Sequence, residues 1–135
     1  MNVAVFWAFL TLRPEGETVS AVTDPLIQAT LMGEALDRGP VAVTVADEDK
    51  RFVAVNDFAC RLFGYSRSEF LGLTLADLAG GPGWDGLFEE LQDKRRAQGV
   101  IRAVTKDGAE LALHYRAAKT SVAGMTAYVG VGWTA

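Results

Sequence analysis

Residues 56–72 read NDFACRLFGYSRSEFLG, two very short helical phrases placed back to back. Asn56 can cap the first, which turns Ala59, Leu62 and Phe63 inward and stops at Gly64, a residue free to take left-handed backbone angles. Ser66 starts the second, and Glu69 three residues later completes a capping box, with Tyr65 and Phe70 placed as a hydrophobic staple. Stubs with their own start and stop signals do not need a long partner helix. Each needs only a surface such as a sheet to pack on.

The flanking sequence supplies that sheet. Upstream, VAVTVA (41–46) and RFVAV (51–55) are β-branched runs joined by the acidic turn Asp47-Glu48-Asp49, which predicts a hairpin. Before them, Asp24-Pro25 opens a helix carrying Leu26, Ala29, Met32 and Leu36 and ending at Gly39-Pro40. Downstream, residues 73–86 form a loop with at most one helical turn, because four glycines and a proline oppose more. A helix is expected over 84–98, with Leu87, Phe88 and Leu91 inward and Gly99 as its stop. Three strands close the chain: VIRAVT (100–105), ELALHYRAA (110–118) and TAYVGVGWT (126–134). The order predicts an α+β fold, a five-stranded antiparallel sheet with short helices packed on one face.

Composition narrows the function. The chain has 135 residues, half of them hydrophobic, enough for one globular core. A net charge of −4 argues against a nucleic-acid footprint; the one basic run, Lys94-Arg95-Arg96, complements a helix end. A single cysteine, Cys60, rules out an internal disulfide and fits a reducing, cytoplasmic setting. The run NVAVFWAFL (2–10) is too short to span a bilayer, so no membrane partner is expected. No Ser-His or Cys-His pairing and no phosphate loop stands out, so the chain is not read as an enzyme.

The segment from VAVTVADEDKRFVAVN through FGYSRSEFLG, followed by TKDG and YVGVG, resembles a PAS (Per-ARNT-Sim) sensor domain over about residues 25–134, leaving 1–24 as an apolar leader and linker. The resemblance implies a cavity between sheet and helices. Strand alternation then turns Val43, Val45, Ile101, Ala103, Leu111, Leu113, Tyr115, Tyr128, Gly130 and Gly132 toward it. Phe63, Phe70, Leu78, Leu87, Phe88 and Leu91 close it from the helices. Such a wall expects an apolar, fatty-acid-like small molecule.

Cofactors can be tested position by position. Where flavin-binding light-oxygen-voltage members carry their adduct cysteine, this chain has Leu75; at their flavin-binding asparagines and glutamine it has Ala103, Leu113 and Gly132. The helix before the third strand carries no histidine for haem, and His114 has the parity that points away from the cavity. No cofactor or metal is expected. The outer sheet face should carry Val100, Val104, Ala112, His114, Val129, Val131 and Trp133. With Val3, Phe6, Trp7 and Leu10 of the leader it is expected to form a homodimer interface. The expected function is a sensory domain that binds an apolar small molecule and signals through that dimer. Two alternatives are a ligand-free dimerisation module whose cavity is core, and a redox or gas sensor holding its cofactor by other residues.

Overall fold

The computed structural model describes residues 24–81 and 83–134. The leader residues Val3, Phe6, Trp7 and Leu10 lie outside the described residues. The chain divides into two compact units, 1–35 and 36–135. Helix α1, Pro25–Arg38, begins in the first. Asp24 caps it, its Oδ1 accepting from the Leu26 N–H at 2.9 Å and the Ile27 N–H at 3.3 Å.

The second unit holds the sheet. Strands β1 (Ala42–Ala46), β2 (Phe52–Val55), β3 (Arg96–Val104), β4 (Glu110–Val122) and β5 (Met125–Thr134) form one antiparallel sheet in the order β2-β1-β5-β4-β3. Between β2 and β3 come α2 (Asp57–Phe63), α3 (Arg67–Phe70), a 3-10 turn (Leu75–Leu78) and α4 (Gly83–Lys94). The antiparallel sheet and its inserted helices match the expected class.

The local signals in residues 56–72 operate as the sequence implies. The Asn56 side chain accepts from the Ala59 N–H, and Gly64 ends α2 at φ 81°, donating its N–H to the Cys60 carbonyl. Ser66 and Glu69 form the reciprocal capping box, and the Tyr65 and Phe70 rings meet edge-on at 5.7 Å. Phe70 is fully buried and also meets Phe52 and Phe63 edge-on, at 4.9 and 5.8 Å. Each such aromatic pair adds about 0.5–1.5 kcal/mol beyond its buried area. The stub is therefore held by its ends and by one ring.

One boundary differs from the sequence reading. Helix α4 stops at Lys94 rather than near residue 98, and Gly99 lies inside β3. Arg95 itself takes φ 61°, and its carbonyl accepts from the Lys119 N–H at 3.0 Å, which turns the chain straight into the ladder with β4. Pairing with β4 outweighs the glycine as the stop. Among the described residues no helix is long and apolar enough to cross a membrane.

Candidate functional site: the cavity between helices and sheet

Cross-strand register decides which residues face the helices. Gly132 pairs with Ala42 on one side and Tyr115 on the other; Gly130 pairs with Thr44 and Ala117; Tyr128 pairs with Ala46 and Lys119. Residues directly opposite one another share a face. The inner face of β1 is therefore Ala42, Thr44 and Ala46, and the expectation of Val43 and Val45 there is wrong by one residue. Those two valines pair with Val131 and Val129 and point to the outer face. The buried side chains of β1 are the small ones, Ala42 and Ala46, where the sheet lies close under α2.

The remaining sheet positions share the face of Ala42, Thr44 and Ala46, and a cavity of about 80 Å³ lies against part of them. Its wall includes Ile101, Leu113, Tyr115, Tyr128, Gly130 and Gly132 from the sheet, and Phe63, Leu78, Leu87, Phe88 and Leu91 from the helical segments. Ala103, Phe70 and Leu111 belong to the packed core beside the cavity rather than to its wall. The structure adds Ala42, Thr44, Phe52, Leu75, Trp84 and Ala117. Trp84 and Leu75 come from stretches that the sequence offers as loop and helix start, with no periodic signal to mark them.

Among the described residues the wall carries no charged side chain. The Trp84 Nε1–H donates to the Arg102 carbonyl at 2.8 Å, and the Tyr128 hydroxyl accepts from Gln92 Nε2 at 2.6 Å. Gln92 in turn accepts from Lys119 Nζ at 2.6 Å. Lys50, held at φ 65° in the β1–β2 turn, places its ammonium 4.2 Å from the centre of the Phe88 ring. Burial pushes the Tyr115 phenol up, with the charge of Glu90 adding, so Tyr115 stays protonated.

Size limits the occupant. An apolar cavity of about 150 Å³ holds benzene, and drug-sized sites run from about 300 Å³ upward. The fatty-acid-like ligand expected from the sequence has no room in the cavity as it stands. The two glycines leave less space than their composition implied. A Cβ on Gly132 would stand 3.1 Å from Leu113 Cδ1, while one on Gly130 would meet only Thr44 Oγ1, at 3.3 Å.

The positions that matter for flavin are occupied by Leu75 on the wall, Leu113 on the wall, fully buried Ala103 and Gly132. Among the described residues no amide side chain lines the cavity, so these residues do not fit a flavin ring that needs amide partners. His114 stacks on Trp133 on the outer face, ring centroids 5.9 Å apart and planes 12° apart. Among the described residues no group of three or more His, Cys, Asp or Glu could hold a metal ion. Cys60 is half-buried against the core, and burial raises its thiol pKa; this is the small-hydrophobe role read from the sequence.

The outer face divides by strand. Val43, Val45, Val129, Val131 and Trp133 make its β1–β5 half apolar, while Arg96, Gln98, Arg102 and Arg116 make its β3–β4 half polar around Val100, which is 60% exposed.

The sequence profile of the PAS domain matches residues 40–131. The chain belongs to the PAS domain family. No curated protein matches it. The solved structures it is similar to include a PAS domain from a two-component sensor histidine kinase, at 16% identity and TM-score 0.73, with 83% of this chain and 100% of that one covered. A PAS domain from Colwellia psychrerythraea follows at 18% identity and TM-score 0.72, covering 80% and 97%. The LOV domain of a blue-light activated histidine kinase from Erythrobacter litoralis shares 24% identity at TM-score 0.63, covering 72% and 97%. These likenesses show the fold. Membership in the PAS family makes this a sensory signalling domain.

Proposed function

We propose that this PAS domain is a non-enzymatic input module. A compact apolar molecule in the helix–sheet cavity is the signal, and a homodimer formed on the outer sheet face is the output. The observation that carries the reading is the uncharged wall made by the described residues, bounded on one side by α2, the 3-10 turn and α4. An occupant presses on α2, the 3-10 turn and α4 separately from the sheet. Its differential fit to open and closed arrangements is what shifts their populations.

The volume, about 80 Å³, favours a second reading, a ligand-free dimerisation domain with a slightly loose core. A thermal-shift series separates the two. Pressurised xenon, small enough for the cavity, should raise the melting temperature by mass action, and decanoate should not. If no compact apolar probe moves the melting temperature, and the protein is still a dimer, the second reading stands and the sensor reading falls.

A further inference from the structure

On the outer face of the sheet, cross-strand pairing sets the side chains in rows. One row runs Arg96, Ala118, Val129 and Val45; the next runs Gln98, Arg116, Val131 and Val43. Arg96 and Arg116 therefore stand diagonally on adjacent strands, and both are exposed. They line an open groove of about 680 Å³ whose apolar lining includes Ala118, Val129 and Val131, with Glu90 and Lys94 of α4 at its end.

Neither arginine has a counter-ion. Arg67 pairs with Asp37 and Asp57, Lys106 with Glu69, and Arg102 with Glu110. Among the described residues Arg96 and Arg116 have no ion-pair or hydrogen-bond partner. The chain as a whole carries a net charge of −4, so this cationic face is a local feature. The other side chains of the two rows are alanine, glutamine and valine, which puts two free guanidinium groups beside apolar surface.

Spacing and backbone pairing select the occupant. Diagonal cross-strand positions lie about 7–8 Å apart. Carboxylates one helical turn apart, with Cβ atoms about 5–6 Å apart, come within reach of two long arginine side chains set at that distance. Strands β4 and β5 are interior to the sheet and engage their neighbours on both sides, so this face offers an extended segment no backbone partner. A helix satisfies its own backbone and can lay an apolar edge on the valines.

We propose that this groove docks an acidic amphipathic helix of a partner protein. Two carboxylates one turn apart pair with Arg96 and Arg116, and the apolar edge of the helix lies on Ala118, Val129 and Val131. Val129 and Val131 also belong to the homodimer face proposed above, so partner and second copy exclude each other there. Docking itself needs no dimer.

The test uses the full chain and NMR titration with synthetic helical peptides of about 15 residues. One peptide carries glutamates at i and i+4 beside a leucine stripe; the other has lysines in place of the glutamates. Vesicles of phosphatidylcholine and phosphatidylserine are the third probe. The glutamate peptide should bind, shift the amide signals of Gln98, Arg116, Val129 and Val131, and weaken as salt is raised. The lysine peptide and the vesicles should not bind. Arg96→Gln and Arg116→Gln should keep the melting temperature and each weaken the glutamate peptide by about threefold, the scale of an exposed ion pair. Equal binding of the lysine peptide, shifts centred on another face, or affinity unchanged in both variants would each overturn the proposal. So would capture by the vesicles, or no binding of the glutamate peptide. Light scattering on the same samples reads the oligomer separately: a monomer that binds the glutamate peptide removes the dimer reading and leaves this one.

Discussion

Asn56 has no unused hydrogen-bonding capacity. Its Oδ1 accepts from the Val43 N–H at 2.9 Å and the Ala59 N–H at 3.0 Å. Its Nδ2 donates to the Leu36 carbonyl at 2.7 Å and the Val41 carbonyl at 2.8 Å. An amide has two donors and two acceptor sites, and all four are matched here in a side chain only 4% exposed. One residue thus joins the last turn of α1, the start of β1 and the cap of α2. Asn56→Asp preserves the cap acceptor but sets a carboxylate against two carbonyls. It should lower the urea-derived unfolding free energy by about 3 kcal/mol, and recovery at low pH should be partial at best. The sequence shows Asn56 as a helix cap and nothing more, because its other partners are 13 to 20 residues away. Gly132 makes the opposite point. The sequence places it on the cavity side with no side chain of its own, yet the Leu113 side chain already occupies the space beside it. Gly132→Leu should overpack the site and destabilise by about 1–3 kcal/mol in the same denaturation assay, and Gly132→Ala by less.

Among the elements, α3 is legible in the sequence down to its first residue, because a capping box is written in four consecutive positions. The inner face of β1 is not. AVTVA offers two valines against two alanines and a threonine, and hydrophobicity picks the valines, whereas register with β5 picks the small residues. The tie between α3 and the β3–β4 turn is equally silent in the sequence. Glu69, besides capping, pairs through Oε2 with Lys106 Nζ at 2.6 Å, and the Lys106 N–H donates to the Phe63 carbonyl at 2.9 Å. The Lys106 ammonium, with the Ser66 N–H, holds the Glu69 carboxyl at about 2, below its ordinary 4.5. Because the folded value is the lower one, this contribution is present above about pH 4.5 and is lost as the pH falls through about 2. Asp37, held below its usual range by Arg67, acts in the same direction. Urea midpoints measured from pH 6 to pH 2 should fall across that window. Glu69→Gln, which can still accept from Ser66, should show a flatter fall; an unchanged slope would mean that the ion pair contributes nothing in solution.

At the scale of the whole molecule, the order of elements was enough to give the architecture, since helices inserted between a β1–β2 hairpin and three consecutive strands leave few ways to cover one face. Cavity volume was not readable, because it depends on how side chains from five strands, two helices and the 3-10 turn interlock. The apolar half of the outer face leads to a quaternary prediction. Trp133 is stacked on His114, and on the same face Val131 precedes it by two residues and pairs with Val43. Trp133→Asp should convert a dimer to monomer by light scattering with the circular dichroism spectrum retained, since an unpaired charge in a buried apolar contact is costly. A variant that stays dimeric would place the interface elsewhere.

The closing hairpin reaches past both of its neighbours. The β3 ladder on β4 ends at Ala118 and the β1 ladder on β5 ends at Tyr128, so from Thr120 to Ala127 the two strands pair only with each other. Ala123 and Gly124, both at positive φ, make a two-residue reversal at the tip, exposed like their neighbours. Lengthening the chain at that point opens no ladder shared with β1 or β3 and touches no residue of the cavity wall. A folded guest spliced between Ala123 and Gly124 on flexible linkers should leave the melting temperature within about 4 °C, the equivalent of less than about 1 kcal/mol. The tip is thus a natural socket, where an optical reporter could be grafted and its fluorescence read while the cavity beneath the helices stays intact.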